Sequence, residues 1–211
     1  MVAVPIMSGI VADGADFRSA YPINLIPVPK ATGLSEGYLR PADGIITLAD
    51  GGGANRGGYR WRGVHYRVMG NSLLAVAVDG SFTTVGTIAG TDWVVFDESF
   101  DYLAINGGGL LYLYDGTTLT QVTDPDLGTS LDMVWINGYF VSTDGAFLIS
   151  SDINDPFSYN ILRYASSEIS PDPVVALQKI RNEIYALNRY TVEVFGAVTN
   201  PGEGFPFARI E

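Results

Sequence analysis

Few residues in this chain have the types and spacing that chemistry needs. There is one histidine, His65, and there is no cysteine. Thiolate zinc sites, thiol catalysis and disulfides are therefore excluded together. A Ser/His/Asp set has one imidazole to draw on, and no Gly-x-Ser-x-Gly elbow accompanies it. A lone histidine with no known carboxylate partner reads as a structural or surface residue before it reads as a base or ligand. Two closely spaced carboxylate pairs, Asp97 with Glu98 and Asp124 with Asp126, have the composition of a glycoside-hydrolysing site. The same residues are ordinary turn formers, and only the fold sets the separation that hydrolysis requires. The glycine cluster from Asp50 to Gly58 lacks the Gly-Lys-Ser/Thr ending of a phosphate cradle and reads as a flexible joint. The oxygen-rich loop from Ser151 to Pro156 lacks the regular spacing and closing glutamate of a calcium loop, so a hairpin corner is expected there. No cofactor, metal or small-molecule ligand is expected, and the chain reads as a non-enzyme.

Charge is the stronger signal. The net charge is −11, and it is unevenly placed. Between Arg67 and Arg163 there is no Lys or Arg, while twelve acids fall there: Asp79, Asp92, Asp97, Glu98, Asp101, Asp115, Asp124, Asp126, Asp132, Asp144, Asp152 and Asp155. The rest of the chain is close to neutral. Such a block repels phosphate. Two readings stay open: turns prefer Asp and surfaces need charge, or these acids line a surface past which nucleic acid slides without sticking. For the second reading the candidates are Asp97, Glu98, Asp101, Asp115, Asp124, Asp126 and Asp144. Arg56, Arg60, Arg62 and Arg67 form the one basic cluster, a candidate for pairing with acids on a neighbouring subunit.

Short strands must position these residues. From Trp93 to Thr123, apolar runs are broken at Asp97-Glu98, at Asn106-Gly107-Gly108-Gly109 and at Asp115-Gly116. Asn-Gly and Asp-Gly pairs supply the positive φ angles of tight hairpins, so the stretch predicts an antiparallel meander. The unit recurs around Gly63, Ser99, Gly138 and Asn182, at intervals of 36, 39 and 44 residues. That spacing is close to the roughly 40 to 50 residues of one four-stranded propeller blade. The fold class is therefore all-β, a β-propeller-like array of about four four-stranded antiparallel blades. Their expected bounds are about 57–90, 91–130, 131–173 and 174–211. The chain stops at the last strand, so the array is expected to be part of a larger propeller or to complete its packing with other chains.

Residues 1–56 fall outside the repeat and read as an extended N-terminal arm. Five of the eleven prolines lie there, and proline supplies no ladder donor. Phe17, Tyr21, Ile23, Leu25, Ile26 and Val28 are nevertheless too apolar for a free linker, which suggests an arm packed on its own domain or on a neighbour. At 47% hydrophobic residues the body of the chain is not disordered. Met1 to Met7 lacks the basic region of a signal sequence, and no apolar run approaches the roughly 18 residues of a spanning helix. No membrane partner is expected.

The arm also carries a resemblance. Asp16-Phe17-Arg18, Asn24-Leu25-Ile26-Pro27-Val28, and Gly37-Tyr38-Leu39-Arg40-Pro41 followed by Gly44-Ile45 resemble the opening of the packaged-DNA stabilisation proteins of short-tailed phages. These are also called tail accessory factors or tail nozzle proteins. The likeness continues in Gly58-Tyr59-Arg60, in Tyr66-Arg67-Val68, in Asp152 to Pro156 with Tyr159, in Ala165 to Glu168 with Pro171-Asp172, and in Val192-Glu193-Val194-Phe195. The resemblance implies a virion structural protein with propeller-like blades, assembled in the host cytoplasm into a hexameric ring below the portal and adaptor. Such a ring keeps packaged DNA from leaking and forms part of the ejection channel. It implies no catalytic residues and no sequence-specific binding to the DNA that passes. Asp16, Phe17, Arg18, Tyr38 and Arg40 are then candidate contacts to the portal-side adaptor or to neighbouring copies. A carbohydrate-binding or carbohydrate-hydrolysing propeller and a generic protein-binding propeller remain the alternatives.

Overall fold

The computed structural model describes residues 24–29, 37–44, 46–167, 172–199, 201–202 and 204–210. Asp16, Phe17 and Arg18 lie outside the described residues, as do Ile45, Glu168 and Pro171 of the motifs above. The chain divides into two compact units, residues 1–47 and residues 48–211.

In the first unit, β1 (Leu25–Pro29) pairs antiparallel with β2 (Gly37–Pro41). Three prolines sit inside this ladder, which the expectation of an unladdered extended arm did not include. Register explains why they are tolerated. The amide of Ala42 donates to the oxygen of Asn24 at 2.8 Å, so Asn24, Ile26 and Val28 occupy the hydrogen-bonded positions. Pro27, Pro29 and Pro41 all fall in the alternate, non-hydrogen-bonded pairs, where the missing N–H would point away from the partner strand.

The second unit holds four successive four-stranded antiparallel sheets. The first blade is β3 (Asn55–Trp61), β4 (Val64–Met69), β5 (Ser72–Val76) and β6 (Phe82–Thr87). The second is β7 (Val95–Glu98), β8 (Leu103–Gly107), β9 (Leu110–Tyr114) and β10 (Leu119–Gln121). The third is β11 (Asp132–Ile136), β12 (Tyr139–Thr143), β13 (Phe147–Asp152) and β14 (Asp155–Ser166). The fourth is β15 (Val174–Ile180), β16 (Glu183–Asn188), β17 (Val192–Ala197) and β18 (Phe207–Arg209). Each sheet keeps its strands in sequence order, and the first strands of successive blades are neighbours: β3 with β7, β7 with β11, β11 with β15. This is the packing of propeller blades around an inner row of first strands. The sheets do not close on themselves.

Two breaks read from sequence fall elsewhere. Asp97 and Glu98 lie inside β7, and the turn follows them, because the Asp97 carboxylate is held by partners on other blades. The glycine joint ends in a bend at Gly52 and Gly53 before Asn55, and Gly57 and Gly58 belong to β3. A Cβ on Gly57 would stand 3.0 Å from Val94 Cγ2 and 3.1 Å from its carbonyl oxygen, so glycine permits the close approach of the second blade.

Three apolar clusters lie between the blades. Trp61, Tyr66, Val68 and Leu73 of the first blade meet Leu103, Ile105, Tyr112 and Tyr114 of the second. Ala104, Leu111 and Leu113 of the second meet Met133, Phe140 and Tyr159 of the third. Val134, Ile136, Val141 and Leu148 of the third meet Leu177, Ile184, Ala186 and Phe195 of the fourth. Alternate residues of β8, β9 and β11 thus enter two different clusters. A strand buried on both faces reads as an unbroken apolar run, which is why Leu110-Leu111-Tyr112-Leu113-Tyr114 shows no polar alternation.

Candidate functional site

The most connected polar groups lie on the inner strands. Asp97 of β7 is buried, and its Oδ2 accepts the amide of Trp135 on β11 at 2.6 Å. Lys179 Nζ, from β15, donates to both Asp97 oxygens at 2.7 Å and to the Trp135 carbonyl at 3.0 Å. A single ion pair therefore ties the second blade to the fourth across the third. Asp132 at the start of β11 repeats the bonding. One of its oxygens accepts the amide of Met133 at 2.7 Å, and the other accepts that of Leu177 on β15 at 2.8 Å. Burial pushes the Asp132 carboxyl above the usual carboxylate range, while these two amides oppose the shift. On the other side, Arg56 is buried at the seam of the first two blades. It donates to the carbonyls of Gly70, Ile88, Ala89 and Asp92 at 2.6 to 3.2 Å. A planar guanidinium with five donors suits such a fan of carbonyls.

The seven candidate acids do not form one surface. In an antiparallel meander, turns after the first and third strands lie at one end, and the middle turn and the link to the next blade lie at the other. Asp101 and Asp115 are thus at one end, and Asp124, Asp126 and Asp144 at the opposite end. Asp97 faces the inner hub, so it is not part of a solvent-facing lining, and Glu98 beside it is half-buried. Asp115 accepts the amides of Thr117 and Thr118, and those bonds hold its carboxyl below the usual range. Asp144 caps its turn through the amides of Ala146 and Phe147. Asp124 and Asp126 accept the amides of Tyr159 and Ile161 on β14 at 3.0 and 3.3 Å. They cover alternate donors of an edge strand that would otherwise template another chain. Neither expected carboxylate pair converges on a substrate-sized space with both groups unengaged.

Of the expected basic cluster, Arg56 is removed to the interior. Arg62 lies in the β3–β4 turn, stacks 4.4 Å over Trp61 and donates to the carbonyl of Phe100 at 2.6 Å. Arg60 and Arg67 are exposed on one face of the first blade, where Arg60 sits opposite His65. His65 is exposed and stands among cations. In the arm unit, Tyr38 and Arg40 are exposed on β2, and Arg40 makes a surface ion pair with Asp43 at 3.3 Å.

A sequence-family model described as bacteriophage P22 Gp10, β-propeller, matches residues 2–211. The chain belongs to this family. It is 28% identical to the tail hub protein gp10 of Salmonella phage P22, over 93% of this chain and 45% of that protein. The chain thus spans less than half the length of this curated relative. Among solved structures it is similar to the computationally designed Ika4 protein, at 13% identity and a TM-score of 0.52, over 74% of this chain and 98% of that one. It is also similar to the N-terminal domain of Nup159, at 11% identity and a TM-score of 0.50, over 85% of this chain and 51% of that one. These two show fold alone.

For a member of this family, the motif Val192-Glu193-Val194-Phe195 falls on β17, where Glu193 is fully buried and bonded to Arg209 at 3.2 Å. Sequence reasoning missed Asp132 and Lys179 as hub residues. The available signal was a charge inside an apolar strand, as in Val174-Val175-Ala176-Leu177-Gln178-Lys179-Ile180, because such a charge needs a partner.

Proposed function

We propose that this chain is a structural part of a phage tail nozzle that retains packaged DNA and forms part of the ejection channel. The observation that carries the reading is the family match along residues 2–211, together with the likeness to a tail hub protein. In this reading the protein sits in the virion tail as a homo-oligomer, a hexamer, after assembly in the host cytoplasm. The arm, with Asp16, Phe17, Arg18, Tyr38 and Arg40, contacts the portal-side adaptor and neighbouring copies. Exposed Arg60, Arg62 and Arg67 meet acids on the next subunit.

The DNA path runs past the blades and not between their inner strands. There the Asp97–Lys179 pair ties β7 to β15. The exposed acids Asp101 and Asp115, with Glu98 beside them at the same end of the second blade, disfavour phosphate adsorption where the duplex passes. Titration of duplex DNA between about 50 and 200 mM salt tests the reading. The expected result is weak binding with little salt dependence. Tight binding that collapses across that range would overturn the acidic surface.

A further inference from the structure

The outer strand of the third blade carries a groove that the tail reading does not use. β14 pairs with β13 at Ser151↔Tyr159 and again at Ile149↔Tyr164, so residues 160–163 leave the ladder against a single residue of β13. This excursion raises Ile161 to 61% exposure and Tyr164 to 52%, and Phe147 on β13 is 43% exposed. Phe147 and Tyr164 meet edge to face at 5.3 Å. With Ile149 and Ile161 they line a cavity of about 370 Å³ whose rim carries Asp126 and Asp144.

Three features restrict what this groove can take. Its walls are aromatic and aliphatic, so they favour a bulky apolar side chain. The amides of Tyr159 and Ile161 are already held by Asp124 and Asp126, so a partner must engage through side chains and not by adding a strand there. Both rim carboxylates bond main-chain amides through one oxygen, which leaves the second oxygen for a cation, and among the described residues no Lys or Arg lines the groove.

We propose that this groove docks an extended segment of another polypeptide that carries a bulky apolar side chain flanked by lysine or arginine. The apolar side chain enters between Phe147 and Ile161, and the flanking cations reach Asp126 and Asp144. The proposal does not depend on the ring or on DNA, so its test and the test of the tail reading fail separately.

The probe is the peptide acetyl-Gly-Lys-Leu-Phe-Lys-Gly-amide, titrated into the full chain carrying labelled Ile and Leu methyl groups, beside the charge-reversed analogue with Glu in both Lys positions. The expected result is shifts confined to Leu127, Ile149 and Ile161, with the lysine peptide bound about tenfold more tightly at low salt. The double variant D126N/D144N keeps the turn-capping oxygens and should reduce that preference to about threefold or less. Y164A should weaken both peptides while leaving the methyl spectrum of the other blades unchanged. Equal affinity for the two peptides, shifts centred elsewhere, or no binding of either at millimolar concentration would overturn the proposal.

Discussion

The ammonium of Lys179 lies 2.7 Å from both carboxylate oxygens of Asp97, a residue 82 positions earlier in the chain. Between them the main chain of Trp135 donates its amide to Asp97 and accepts from Lys179. Three blades therefore share one polar node, flanked by Asp132 on the same inner row. A buried ion pair of this kind adds little net stability over apolar packing, but loss of one partner leaves a desolvated charge. The node thus acts on register, fixing which strand of one blade faces which strand of the next.

Removing one partner is the direct test. Asp97→Asn should cost about 2 kcal/mol, less than for a fully enclosed pair because Lys179 is one-third exposed. Lys179→Met, which leaves Asp97 the amides of Glu98 and Trp135 as donors, should cost less than Asp97→Asn. Urea unfolding of both variants and of the double variant gives the coupling. Additive losses would show that the pair does not act as one unit.

Close approach of backbones makes a second prediction. A Cβ on Gly108 would lie 2.8 to 2.9 Å from the main chain of Ala89 and Gly90, and its φ is +63°. Gly128 has a similar φ of +65° with open space around it. Gly108→Ala should therefore cost about 2 kcal/mol more than Gly128→Ala, which carries only the left-handed strain of about 1 kcal/mol. Thermal unfolding of the two variants side by side measures the difference.

Acid dependence follows from Asp132. Its folded carboxyl lies above the unfolded value because burial disfavours the charge. The native state then holds the proton more tightly, so this group's contribution is fully present below the unfolded value and is lost as pH rises through the folded one. Asp132→Asn cannot titrate. The stability of the parent relative to this variant should fall as pH rises through that window, read as the difference in urea midpoints. A constant difference would contradict the burial argument.

Much of the fold was legible because turn chemistry and apolar runs are local. Asn137-Gly138 and Asp144-Gly145 announce hairpins wherever the blades sit, and residues such as Leu111 and Leu113 must be buried in any packing. The site was less legible because its partners are distant. Asp97 looks like a turn former beside Glu98, and only Lys179, supplied by another blade, explains its place in a strand. Arg56 looked like surface charge for the same reason, since its four carbonyl partners belong to the turns and linker between the first two blades. The arm prolines were read from their missing donors alone, whereas their alternation with Ile26 and Val28 is what lets β1 pair.

The central claim, that this chain is part of a tail nozzle, is tested most directly by negative-stain imaging of the natural protein mixed with its portal-side adaptor. The account predicts a six-fold ring seated on the adaptor, weakened by substitution at Tyr38 and Arg40. A monodisperse monomer that does not join the adaptor would contradict it.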